Sequence, residues 1–148
     1  MTAPNREDQA RRLLYELQLM EGTAKTLQQR LQILQQAQTE LTISKQSLEA
    51  VENAEEGSNI LVPTGGGTFV HAKLGKIDTL VVNVGADVSI DMTPEEAMEN
   101  VTGRLEEVEK AAQSVSQQLE QVLAQMQVHQ DGVNRLSAQM RGDNSFVR

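Results

Sequence analysis

The chain's 148 residues suit one domain or one extended subunit, yet aromatics make up only 2% of them: Tyr15, Phe69 and Phe146, with no Trp. Without the rings that fill most cores, the apolar set of Leu, Val, Ala, Met and Ile suits long helices packed along thin seams. A net charge of −8 opposes binding to nucleic acid or an anionic membrane, and the absence of Cys excludes a disulfide framework and thiolate chemistry. The charge is uneven. Residues 49–56 carry four acids, and residues 87–110 carry eight acids against two bases, a combined −10 that leaves +2 for the rest.

The opening segment "MTAPNREDQARR" lacks the apolar core of a signal peptide, and no later run approaches a membrane span. The expectation is a cytoplasmic protein. From Leu13 a heptad begins: Leu13, Leu17, Met20, Ala24, Leu27, Leu31, Leu34. Strict continuation would need Gln38, Lys45 and Glu52. The path Leu34, Ala37, Leu41, Ser44, Leu48, Val51 is more apolar and takes two successive steps of three, a stammer. A first helix is predicted over about residues 6–54, closed by "EEGSN" with Gly57 as its C-terminal glycine.

The period then changes to two. "ILV", 60–62, reads as a short strand ending at Pro63. "TFVHAKL", 68–74, puts Val70, Ala72 and Leu74 on one face. "TLVVNVG", 79–85, aligns Leu80, Val82 and Val84, and "DVSIDM", 87–92, aligns Val88 and Ile90. The glycines of "ILVPTGGGTFV" invite comparison with a phosphate loop. A phosphate loop, however, needs a following Lys-Ser/Thr and a helix, and a strand follows here. Glycines between strands supply positive φ for a hairpin turn. Gly85-Ala86 is expected to serve the same way in a second hairpin.

"MTPEEA", 92–97, carries Thr93 as N-cap, Pro94 at the first helical position and Glu96 three residues after the cap. A second seam follows: Met98, Val101, Leu105, Val108, Ala112, Val115, Leu119, Val122, Met126, His129, Val133, Leu136, Met140. His129 alone breaks it and reads as a tolerated polar residue near a fraying end. The predicted helix spans about 94–141, with a tail over 142–148. Helices of about 48 residues, roughly 72 Å each, have no core of their own. Joined by a compact insert over about 58–92, they are expected to return antiparallel, with the chain ends together at one tip.

Two hairpins are marginal alone, and their free edges invite pairing. The apolar strand residues Ile60, Val62, Val70, Ala72, Leu74, Leu80, Val82, Val84, Val88 and Ile90 are therefore candidates for subunit assembly. At the opposite extreme, Leu13, Leu14, Tyr15, Leu17, Leu19 and Met20 exceed what one seam can bury, and Val133, Leu136 and Met140 face them, with Phe146 in the tail. These are candidates for binding apolar segments of non-native chains.

With "ILVPTGGGTFVHAKL" and "VVNVGADVSIDMTPEEA" between two heptad helices, nearly the whole chain resembles the alpha subunits of archaeal prefoldin. The resemblance implies a mostly α chain, a long antiparallel coiled-coil hairpin joined by two β-hairpins that form an oligomeric β-barrel hub. It implies an ATP-independent chaperone with two alpha and four beta subunits, whose tips capture unfolded proteins and deliver them to a group II chaperonin. Beta-type subunits, unfolded clients and the chaperonin are the implied partners. No catalytic, cofactor or metal residues are expected. The rival reading is a structural coiled-coil tether that assembles through the same strands without binding clients. An enzyme is disfavoured by two distant histidines and the lack of a nucleotide motif.

Overall fold

A computed structural model describes residues 5–145, with side chains through residue 143; Phe146 lies outside the described residues. The order is α1 (Arg6–Asn53), β1 (Asn59–Gly65), β2 (Thr68–Lys73), β3 (Leu80–Gly85), β4 (Val88–Met92) and α2 (Pro94–Ser145). These are the two helices and two antiparallel hairpins read from the sequence, with the hairpins forming separate two-stranded sheets. The chain divides into two compact units. One holds residues up to 35 and from 110 onward; the other holds residues 36–109.

In the first unit the two helical segments run antiparallel. Arg6 pairs with Asp143, and Glu16 lies 2.8 Å from His129. A Cβ built on Gly132 would sit 3.2 Å from Leu13 Cδ1. The seam is as the heptad predicts. Ala10, Leu17, Ala24, Leu27 and Val133 are buried, and Leu13, Met20, Met126, Leu136 and Met140 are half-buried. α2 continues to Ser145, through Gly142, where the sequence expectation ended it. Asp143 gains Arg6 as a partner in that extra turn, an exposed ion pair set against the helix cost of about 1 kcal/mol for an interior glycine.

In the second unit Leu41 is buried and Ala37, Ser44, Leu48 and Val51 are half-buried. The strict-register positions Gln38 and Lys45 are half-buried too, and the two paths separate only at the end, where Val51 is half-buried and Glu52 exposed. The boundary between units falls at residues 35 and 36, inside the segment where the heptad is interrupted. α1 ends at Asn53, so Gly57 does not cap it directly. Gly57, at φ 87°, lies in the turn beyond, where its N–H donates to Leu74 O at 2.7 Å. Leu74 N–H donates to Ser58 O at 2.8 Å, so the ladder of the first hairpin extends one step past its strands.

α2 starts as its sequence requires. Glu96 N–H donates to Thr93 Oγ1 and Thr93 N–H donates to Glu96 Oε2, both at 3.2 Å, satisfying two amide donors that a helix start leaves open.

Both hairpins turn by one plan. A register irregularity precedes Gly65 in the first and Gly85 in the second, and each glycine has positive φ. Two residues in the left-handed region then close the turn: Gly66 and Gly67 in the first, Ala86 and Asp87 in the second, at φ 50° and 59°. Positive φ at both central residues matches strand twist in a two-residue loop. The expected turn pair Gly85-Ala86 is thus shifted by one residue, with Gly85 at the bulge. A side chain at Ala86 has a steric cost there that glycine avoids. We therefore expect Ala86→Gly to stabilise the second hairpin by about 0.5–1 kcal/mol. Slower amide exchange in β3 and β4, with α1 and α2 unchanged, is the readout.

β1 also runs past Pro63, where the sequence reading stopped it, to Gly65. Pro63 sits opposite Phe69. In a two-stranded sheet each strand has a free edge, so proline's missing N–H can be accommodated.

Candidate functional site

The strand candidates fall on defined faces. Ile60 pairs with Ala72 and Val62 with Val70 on one face of the first hairpin. Leu80 pairs with Met92 and Val82 with Ile90 on one face of the second, whose other face carries Val81, Asn83, Ser89 and Asp91. None of these apolar residues is buried. Ile60, Val62, Val70, Val84, Val88 and Ile90 are exposed; Ala72, Leu74, Leu80 and Val82 are half-buried. The two half-buried residues of β3 line a cavity of about 530 Å³ together with Leu48, Ala97 and Val101. The helices therefore partly shelter this hairpin, where the sequence suggested no cover at all.

Sequence reasoning missed the second face of the first hairpin. Leu61 opposes His71 and Pro63 opposes Phe69, and Leu61 and Phe69 are each 58% exposed. The signal was present: "ILVP" is a continuous apolar run, the mark of a strand apolar on both faces, and not an alternation.

Among the described residues, all eight buried apolar ones lie on the helices. The strands hold much of the apolar area still in water.

The candidates near the helix ends separate into two groups. Leu14, Tyr15 and Leu19 are exposed, at 47%, 63% and 56%. Leu17 and Val133 are buried in the seam, and Leu13, Met20, Leu136 and Met140 are half-buried there. Leu17 and Val133 are thus taken up by packing between the helices and present no free surface. Off the seam, Leu123, at 44%, and Val128, at 68%, are exposed on α2 and were not singled out from the sequence.

His129 is more than a tolerated polar residue. Its Nε2 lies 2.8 Å from Glu16 Oε2 and its Nδ1 lies 2.9 Å from Gln125 O. Arg12 Nε donates to the other oxygen of Glu16 at 3.1 Å. The bond to Glu16 and then that to the Gln125 carbonyl raise His129 above the ordinary 6.5. His129 first, and Arg12 next, hold Glu16 below the ordinary 4.5.

At the other end of α1, Glu52, Glu55 and Glu56 have no ion pair among the described residues, and the last turn holds no base. This is the wrong sign for a helix C-terminus. Among the described residues, no group of three or more His, Cys, Asp or Glu is placed to hold a metal ion. No helix there is long and apolar enough to cross a membrane.

Two long heptad helices flanking a pair of hairpins, with apolar strand faces left in water, define a class of coiled-coil subunits built to be completed by other chains. The chain belongs to the prefoldin family, whose subunit model matches residues 20–139. It is 36% identical over 110 residues to prefoldin subunit alpha of Methanothrix thermoacetophila, spanning 74% of this chain and 72% of that one. It is 32% identical over 116 residues to prefoldin subunit alpha of Methanococcoides burtonii, spanning 78% and 84%. Its fold matches a chain in the cryo-EM structure of filamentous PFD from Methanocaldococcus jannaschii. There the TM-score is 0.65 at 22% identity, over 75% of this chain and 92% of that one. The first two relatives are alpha subunits, the type that the two-hairpin insert resembles, and family membership gives the chain a chaperone-type role.

Proposed function

We propose that the chain is the alpha-type subunit of an ATP-independent chaperone, assembled with beta-type subunits, two alpha to four beta, in the cytoplasm. Its hairpin faces close onto other subunits in a β-barrel hub. Its helix ends hold unfolded clients for transfer to a group II chaperonin. The observation that carries this reading is the apolar face of each hairpin: Val62 with Val70, both exposed, in the first, and half-buried Val82 with exposed Ile90 in the second. At about 25 cal/mol per Å² that face has a strong drive to associate. Leu14, Tyr15 and Leu19 support the client role, since exposed apolar side chains on one helix segment suit contact with apolar stretches of many sequences. A basic surface on a neighbouring subunit would offset the unpaired Glu52, Glu55 and Glu56.

The test combines the chain with a beta-type subunit and follows native mass together with light scattering of a diluted, denatured client. The expected result is one hetero-oligomer that suppresses scattering without ATP and raises refolded yield once chaperonin and ATP are added. Deleting residues 1–20 and 133–148 is expected to keep the oligomer and abolish suppression. A persistent monomer in the mixture, or full suppression by the truncated protein, overturns the reading.

A further inference from the structure

We propose that Glu16 and His129 form a proton-operated clasp between α1 and α2, closed while the imidazole carries both protons and released when it loses one. The ring is gripped at both nitrogens, by the Glu16 carboxylate across the seam and by the Gln125 carbonyl one turn back on its own helix. Carbonyl and carboxylate oxygens only accept, so each nitrogen must donate. A neutral imidazole has a single N–H; only the imidazolium has two. The arrangement is complete in the charged form alone. Loss of a proton leaves a nitrogen lone pair facing an oxygen lone pair, and a closed contact becomes a repulsive one.

The surroundings sharpen the switch. His129 and Glu16 are 20% and 36% exposed, so water competes only partly for the pair. From α1 the charged groups facing it are Glu16 itself and Arg12, which sits on the far oxygen of Glu16. From α2 it meets the Gln125 carbonyl and, among the described residues, no second ion-pair partner. Next to it Gly132 admits Leu13 with no Cβ between them, and Leu17 and Val133 are buried close by in sequence. The clasp therefore lies in a stretch where the helices pack tightly, on the segment of α1 that exposes Leu14, Tyr15 and Leu19.

The signs agree with the geometry. His129 is raised above 6.5, so its contribution is full below 6.5 and is lost as pH rises through the raised value. Glu16 is lowered below 4.5, so its contribution is full above 4.5 and is lost as pH falls through the lowered value. The clasp is shut between those two limits and opens on the alkaline side through His129.

The experiment needs no client and no knowledge of the assembly's partners, so its failure is distinct from failure of the proposed chaperone role. The full-length protein, ¹⁵N-labelled at histidine, is titrated by NMR between about pH 5 and 9. His71, the other histidine, is the internal control. The expected result is a His129 midpoint above 6.5, with both ring nitrogens protonated below it, that falls in Glu16→Gln while His71 is unmoved. Amide exchange in residues 10–20 and 125–136, corrected for its intrinsic pH dependence, is expected to rise severalfold through that midpoint in the wild type. It is expected to show no such step in His129→Gln. A midpoint at or below 6.5, a midpoint indifferent to Glu16→Gln, or wild-type exchange with no step overturns the proposal. The wild-type titration and exchange decide the matter even where a variant folds poorly.

Discussion

Val62→Asp combined with Val82→Asp takes the oligomer apart while leaving the helices folded. Val62 and Val82 sit in cross-strand pairs with Val70 and Ile90, on the apolar face of each hairpin. In the lone chain a carboxylate at position 62 remains hydrated, because Val62 is exposed; at position 82 it borders the cavity lined by Leu48, Ala97 and Val101 and keeps water on its open side only. If these faces close onto other subunits as proposed, the same carboxylate is sealed against apolar neighbours. An uncompensated buried charge costs about 3–5 kcal/mol, so each substitution weakens association by about a hundredfold or more. Native mass spectrometry reads the loss, and far-UV circular dichroism reads the retained helix. Ser89→Asp, on the polar face of the second hairpin, is the matched control and leaves the mass of the complex unchanged. A double-aspartate protein that still assembles at wild-type concentration would show that these faces are not the contact.

The second large effect belongs to client binding. Leu14→Ser, Tyr15→Ser and Leu19→Ser together leave assembly intact and reduce suppression of aggregation at least tenfold in the protein concentration required. All three side chains are exposed, so their loss changes folding stability by roughly 0.5 kcal/mol or less each. A client that buries them fully loses about 1.5–3 kcal/mol per large side chain. Leu17→Ala separates this from a structural effect. Leu17 is buried in the seam, and its truncation costs about 2–5 kcal/mol of helix packing, read as a lower melting temperature. Equal suppression by the triple-serine variant and the wild type would remove these residues from the client site.

Much of this architecture is local, and so was legible in the sequence. The Thr93–Glu96 reciprocal bonds depend on residues three apart. The glycine run at 65–67 adopts the positive φ its composition invites, and the seam residues are the ones the heptad selects. The parts that escaped depend on partners distant in sequence. Glu16 and His129 are 113 positions apart, and nothing in either helix alone announces their contact. The extension of α2 through Gly142 goes with Asp143 reaching Arg6, again a pairing between helices. Leu17 and Val133 looked like candidate surface because a heptad shows which residues are apolar, while the facing helix decides which stay accessible. Pro63 misled because the rule against proline in strands is a rule about central strands.

The surface that the strands leave in water also governs how the molecule responds to temperature. The heat-capacity change of unfolding follows the apolar area newly hydrated, typically about 12–15 cal/mol/K per residue for compact domains. Here much of that area is hydrated before unfolding begins, so the isolated subunit falls below this range and its stability curve is unusually flat. If the strand faces close onto other subunits as proposed, the missing curvature resides in association, which then carries a correspondingly large negative heat capacity. In such an assembly, chilling weakens the union of subunits more than it weakens any single one of them.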